Sequence, residues 1–81
     1  MSGLTVRYDE SVNAAYLAFA EIEPGDVVSM YACDPVAVGG MINLDFDSEG
    51  RLIGIEVLDA RRLLPESLLD PHRPDQDGLS K

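Results

Sequence analysis

Leu4-Thr5-Val6-Arg7-Tyr8 alternates apolar and polar side chains, the period of a half-buried strand whose inner face carries Leu4, Val6 and Tyr8. Residues 9–13 follow with Asp, Ser and Asn, whose side chains bond nearby backbone in tight turns, so a first hairpin is predicted. In residues 14–20 the large apolar groups Leu17 and Phe19 alternate with Tyr16 and Ala18. Alanine also favours helix, but the shortness and aromatic content of the run favour strand. Glu23-Pro24-Gly25-Asp26 breaks the chain with turn chemistry, and a third strand is predicted over residues 27–32. Two reversals are then available, Asp34-Pro35 and Gly39-Gly40, and the pattern does not choose between them.

The clearest alternation comes next. Ile42, Leu44 and Phe46 alternate with Asn43 and Asp45, and Ile53, Ile55 and Val57 alternate with Gly54 and Glu56. The polar run Asp47-Ser48-Glu49-Gly50-Arg51 between them has hairpin length and a glycine for a left-handed position. After Leu58 the period changes, with Leu63, Leu64, Leu68 and Leu69 at helical spacing. Proline is tolerated in a first helical turn, so one short helix is predicted from Pro65 to Asp70, with Asp59 capping the preceding turn. These elements predict an α+β, mainly β fold: an antiparallel sheet of about five strands with one short C-terminal helix. Residues 1–70 read as a single small domain. Residues 71–81, with two prolines, a glycine and a single apolar side chain, read as a flexible tail.

Composition narrows the function. The chain has 81 residues, and 15 Asp+Glu against 6 Lys+Arg leave a net charge of −9. Such a surface repels phosphate backbones and suits a basic protein partner. No run approaches the ~20 apolar residues of a membrane span, and the first residues lack a signal-peptide pattern, so a cytoplasmic protein is expected. Cys33 is the single cysteine, which rules out an internal disulfide and a thiolate zinc cluster. A domain this small buries only about 60% of its unfolded surface, so a homodimer is expected.

Several residues carry candidate chemistry. Asp45-x-Asp47-x-Glu49-Gly50 followed by Glu56 has the spacing of a calcium-binding loop between two helices. The flanks read as strands, however, so Glu56 would lie far from the hairpin tip. Asp45, Asp47 and Glu49 remain candidates for a weak surface cation site. Strand parity sends Glu56 to the face opposite Ile55 and Val57. There it is expected to ion-pair with Arg7, Arg51 or Arg61, worth at most ~1 kcal/mol if exposed, or to line a subunit groove. Gly54 interrupts an otherwise apolar strand, which marks a close approach by another group; the ring of Tyr16 or Tyr8 is the expected visitor, its hydroxyl at a wet edge. Cys33 would need a base to act as a nucleophile, and the only histidine, His72, falls in the expected tail. No catalytic residue and no cofactor site is assigned.

One resemblance joins these residues. Tyr8-Asp9, Asn13-Ala14-Ala15-Tyr16, Asp45-Phe46-Asp47 and the run from Gly50 to Ala60 resemble the small bacterial proteins of domain of unknown function 2283, over roughly residues 4–64. That family usually carries an acidic residue where Asn13 stands and a small hydroxyl residue where Arg61 stands. The resemblance implies a compact antiparallel sheet with a short C-terminal helical segment, and no assigned reaction. Members are often found beside small toxin-like proteins, which implies an antitoxin or partner-protein role.

The expected function is a non-enzymatic, homo-oligomeric protein-interaction module. Its interface candidates are Tyr16, Leu52, Gly54, Glu56 and Leu58, on a second sheet face that also carries Ala18. The alternative is a protein binding a divalent metal or small ligand through carboxylates.

Overall fold

The structure, a computed structural model, describes residues 4–70; the expected tail lies outside them. Five strands form: β1 (Thr5–Asp9), β2 (Ala14–Ala18), β3 (Ser29–Ala32), β4 (Ile42–Phe46) and β5 (Leu52–Leu58). They make one open antiparallel sheet in the order β1-β2-β5-β4-β3. Three single-turn helices accompany it, α1 (Pro35–Val38), α2 (Ala60–Leu63) and α3 (Glu66–Leu69).

The connection between β3 and β4 uses both candidate reversals. The Asp34 carboxylate accepts from the Val36 amide at 3.0 Å and starts α1 with proline in its first turn, the arrangement that suits a helix N-terminus. Gly39, at φ 79°, ends it in the left-handed region, where a side chain would be strained. β3 starts at Ser29 rather than at residue 27.

The end of the chain differs from the expectation of one helix from Pro65 to Asp70. Two separate turns form, and α2 begins at Ala60 directly after β5. The Ala60 backbone N–H donates to the Asn13 carbonyl at 3.0 Å. Asp59 stands at the cap position with φ 57° and makes no capping bond with its side chain, contrary to expectation. Its carboxylate instead accepts from Arg62 Nε at 2.6 Å and Asn13 Nδ2 at 3.0 Å.

Strand register sorts the side chains onto two faces, because partners across a ladder share a side. One face carries Tyr8, Ala15, Val57 and Ile42 in one row, and Val6, Leu17, Ile55, Leu44 and Tyr31 in the next. Helices α2 and α3 lie over the first row, where Ala15, Val57, Ala60 and Leu69 form the buried core and Leu63 and Leu64 pack against it. In its second row this face is only half-buried at Val6, Leu17, Leu44 and Ile55. In the same register Leu4 and Phe19 extend it, exposed at 52% and 40%, and Tyr31 at its far side is exposed at 62%. The other face carries Arg7, Tyr16, Glu56, Asn43 and Ala32 in one row, and Thr5, Ala18, Gly54, Asp45 and Met30 in the next.

Candidate functional site

Polar chemistry concentrates on that second face. Tyr16 and Gly54 sit on neighbouring strands one diagonal step apart, since Tyr16 pairs with Glu56 and Ala18 with Gly54. The missing side chain at Gly54 lets the Tyr16 ring cross β5: a Cβ built there would collide with the Tyr16 hydroxyl and ring. The hydroxyl then reaches Asp45 on β4 and donates to Oδ2 at 2.7 Å. The expected visitor to the glycine notch is therefore Tyr16. Tyr8 points to the opposite face and donates to Asn13 Oδ1 at 2.9 Å.

Burial pushes the Tyr16 phenol up to about 12, with the hydrogen bond to Asp45 and the charges of Asp45 and Glu56 acting the same way. A phenol held neutral beside two carboxylates is a hydrogen-bond donor through the physiological range. Glu56, half-buried in the same face, accepts from Asn43 Nδ2 at 3.2 Å. The ion pairs of the described residues do not include it, so the expected pairing with Arg7, Arg51 or Arg61 is replaced by an amide contact. Two cross-strand bonds thus run over this face. It is a mixed surface, more polar than an interface built from Tyr16, Ala18, Leu52 and Leu58 would be. Leu58 continues it beyond Glu56, opposite Ala14. A register irregularity between Asp45 and Phe46 sets Leu52 opposite Phe46, which interrupts strict alternation at that end of β5.

Asp45, Asp47 and Glu49 do not converge. Asp45 is engaged by Tyr16. At the hairpin tip Asp47 Oδ1 accepts from the Glu49 and Arg51 amides, each at 2.9 Å, and Oδ2 meets Arg51 Nε at 3.3 Å. The Arg51 amide, chief among these donors, holds the Asp47 carboxyl below the usual carboxylate range. Glu49 pairs with Arg51 Nη2 at 2.9 Å. Among the described residues no group of three His, Cys, Asp or Glu side chains comes together as a metal site. Cys33 is half-buried and free; His72 lies outside the described residues.

Sequence reasoning missed the corner formed by Asn13. Its φ of 55° is a left-handed conformation that asparagine tolerates better than most residues. There Oδ1 accepts from the Arg61 amide at 3.0 Å as well as from Tyr8, and Nδ2 donates to Asp59. The turn after β1 therefore caps α2 from 48 residues away. The pairing depends on tertiary placement, and the only signal for it in the chain is an asparagine within turn-forming residues.

The edge of the sheet at β3 was also missed. All four β3 residues are exposed, and Val28, Met30, Tyr31, Val36 and Met41 are large apolar groups in water around it. No helix of the described residues is long and apolar enough to cross a membrane. A family model described as a protein of unknown function, DUF2283, matches residues 5–61. No curated protein and no solved structure matches the chain.

Proposed function

The chain belongs to the DUF2283 family, and from that premise we propose that it is a non-enzymatic protein-interaction module that acts as a homodimer. The observation that carries this reading is the uneven cover of the apolar face. Ala15, Val57, Ala60 and Leu69 are the buried hydrophobic residues, whereas Leu4, Phe19 and Tyr31 on the same face stand in water. A sheet face of this kind is stable when something packs on it, and a second copy supplies a matching apolar surface about a two-fold axis.

The surface offered to a twin is then the uncovered part of the apolar face. On the polar face Tyr16 bonds Asp45 and Asn43 bonds Glu56 within one chain. The net charge of −9 supports a basic protein as a further partner. An antitoxin-like role, in which the module holds a small basic protein, falls within the same reading. Against an enzyme stand a neutral Tyr16 and the carboxylates of Asp45, Asp47, Glu49 and Glu56, each engaged by a neighbour. Among the described residues the divalent-ion alternative has no convergent ligand set to support it.

Sedimentation equilibrium tests the dimer. The wild type should run at twice the 8.8 kDa chain mass at micromolar concentration. Phe19→Asp should run at the chain mass, and Thr5→Asp, on the other face, should remain dimeric. A wild-type chain that stays at 8.8 kDa up to about 100 μM, far above the Kd of a stable homodimer, would defeat the proposal.

A further inference from the structure

We propose that the open edge of β3 is the binding site for an extended, basic segment of a partner protein, which adds to the sheet as a sixth strand. Sheet edges are templates for pairing unless charge, proline or a covering element blunts them. The edge at β1 carries Arg7 and Asp9 and has α3 packed against it. Residues 27–33 at the other edge contain neither a charge nor a proline, and all of β3 is exposed.

The backbone of this edge is available. The Cys33 N–H donates to the Ile42 carbonyl at 2.9 Å, so Cys33 and, two residues back, Tyr31 direct their backbone groups towards β4. By the same alternation Met30 and Ala32 direct theirs outwards, where no described residue meets them. Met30 and Tyr31, 57% and 62% exposed, project to opposite faces and give an added strand an apolar contact on each. Main-chain bonds with alternating side-chain contacts are the recognition mode of strand addition.

Charge selects the occupant. Residues 20–50, which hold the whole β3–β4 half of the sheet, contain seven Asp or Glu and no Lys or Arg. Asp26 and Asp34 bracket the strand, and Asp45 lies opposite Met30. The arginines nearest in the fold are engaged, Arg51 by Asp47 and Glu49 and Arg62 by Asp59. A second copy fits this edge poorly, because it brings another chain of net charge −9 against the carboxylates that flank the strand. A segment bearing Lys or Arg at alternate positions meets the same carboxylates favourably.

The site depends on the interaction-module reading and adjoins the dimer surface at Tyr31, while its main-chain groups at Met30 and Ala32 lie on the strand edge. The test is selection of binders to the full chain from a displayed library of random peptides, followed by amide hydrogen exchange with the selected peptides. Enriched peptides should be rich in Lys or Arg and should protect the Met30 and Ala32 amides. Ala32→Pro removes an outward N–H at a position where an edge strand tolerates proline, and should weaken binding about tenfold. Asp26→Asn with Asp34→Asn retains the acceptor oxygens that hold the flanking turns. That double variant should weaken binding several-fold even if the proline variant fails to fold. Enrichment of neutral or acidic peptides, protection elsewhere or no enrichment would overturn the proposal. So would protection of the same two amides by the chain alone that grows with its concentration, which would assign the edge to a second copy. Failed peptide binding by an intact dimer defeats this site alone; peptide binding by a strict monomer defeats the dimer alone.

Discussion

Tyr16 shows how much one side chain can reveal about its surroundings. Its phenol is stabilised in the neutral form in the fold, so the stabilisation is fully present below pH 10, the ordinary value, and is lost as pH rises through about 12. Chemical denaturation of the wild type should therefore show falling stability over that window. Tyr16→Phe should flatten the fall and cost about 1 kcal/mol at neutral pH, by leaving Asp45 without its donor. A wild type whose denaturation midpoint does not move between pH 10 and pH 12 would contradict the assignment. Gly54→Ala forces the ring out of the notch and should cost about 1–3 kcal/mol. In a Tyr16→Ala background the same change should cost little, so a double-mutant cycle should give a coupling of about 1 kcal/mol or more. This pair was legible in the sequence because a glycine inside an apolar, β-branched run has no favourable local reason to be there. Asn13 was not legible. Three of its side-chain bonds reach Tyr8, Asp59 and Arg61, two of them far away in the chain. Asn13→Ala should lower stability by about 2 kcal/mol. Asn13→Asp should also lower it, because it sets a second carboxylate against Asp59; melting curves of the two variants check both.

Among the elements, β4 and β5 were legible almost residue by residue, since five or more alternating positions with Ile, Leu, Phe and Val leave one consistent parity. The same pattern yielded β1, while β2 followed from the shortness and aromatic content of its run. The start of β3 was not legible, because Val27 and Val28 favour strand as strongly as Met30 and Tyr31 do. Only the pairing decides: the Val28 amide meets Phe46 O at 2.9 Å while the register pairs Ser29 with Phe46, an irregular entry to the strand. The helical segment was misread for a related reason. Each helix is a single turn, too short to display a 3.6-residue period, and Leu63, Leu64 and Leu69 are placed by the sheet they cover. That cover is energetically important. Leu69, buried on α3 beside Ala15 and Val57, anchors the last turn, and Leu69→Ala should cost about 2–4 kcal/mol. The midpoint of urea denaturation reads this directly, and a shift worth under about 0.5 kcal/mol would mean that α3 does not close the core.

For the whole molecule, cover and charge together set its behaviour. Two single-turn helices protect one end of the apolar face, and the remainder is half-buried at Val6, Leu17, Leu44 and Ile55 and exposed at Leu4, Phe19 and Tyr31. The surrounding charge of −9 keeps such a surface from indiscriminate association, leaving matched partners as the stable solution. The sequence already held the arithmetic of a small core and a second chain. Which face needs that chain was not legible, because alternation sorts side chains into two faces without saying where two four-residue helices will land. The central claim is that the native state is completed by a second copy, and the dependence of the melting temperature on protein concentration tests it most directly. Mass action requires a dimer to melt at higher temperature when more concentrated. A rise of about 5–10 °C over a hundredfold increase in concentration is expected for a domain pair of this size, and a melting temperature that stays fixed over that range would contradict it.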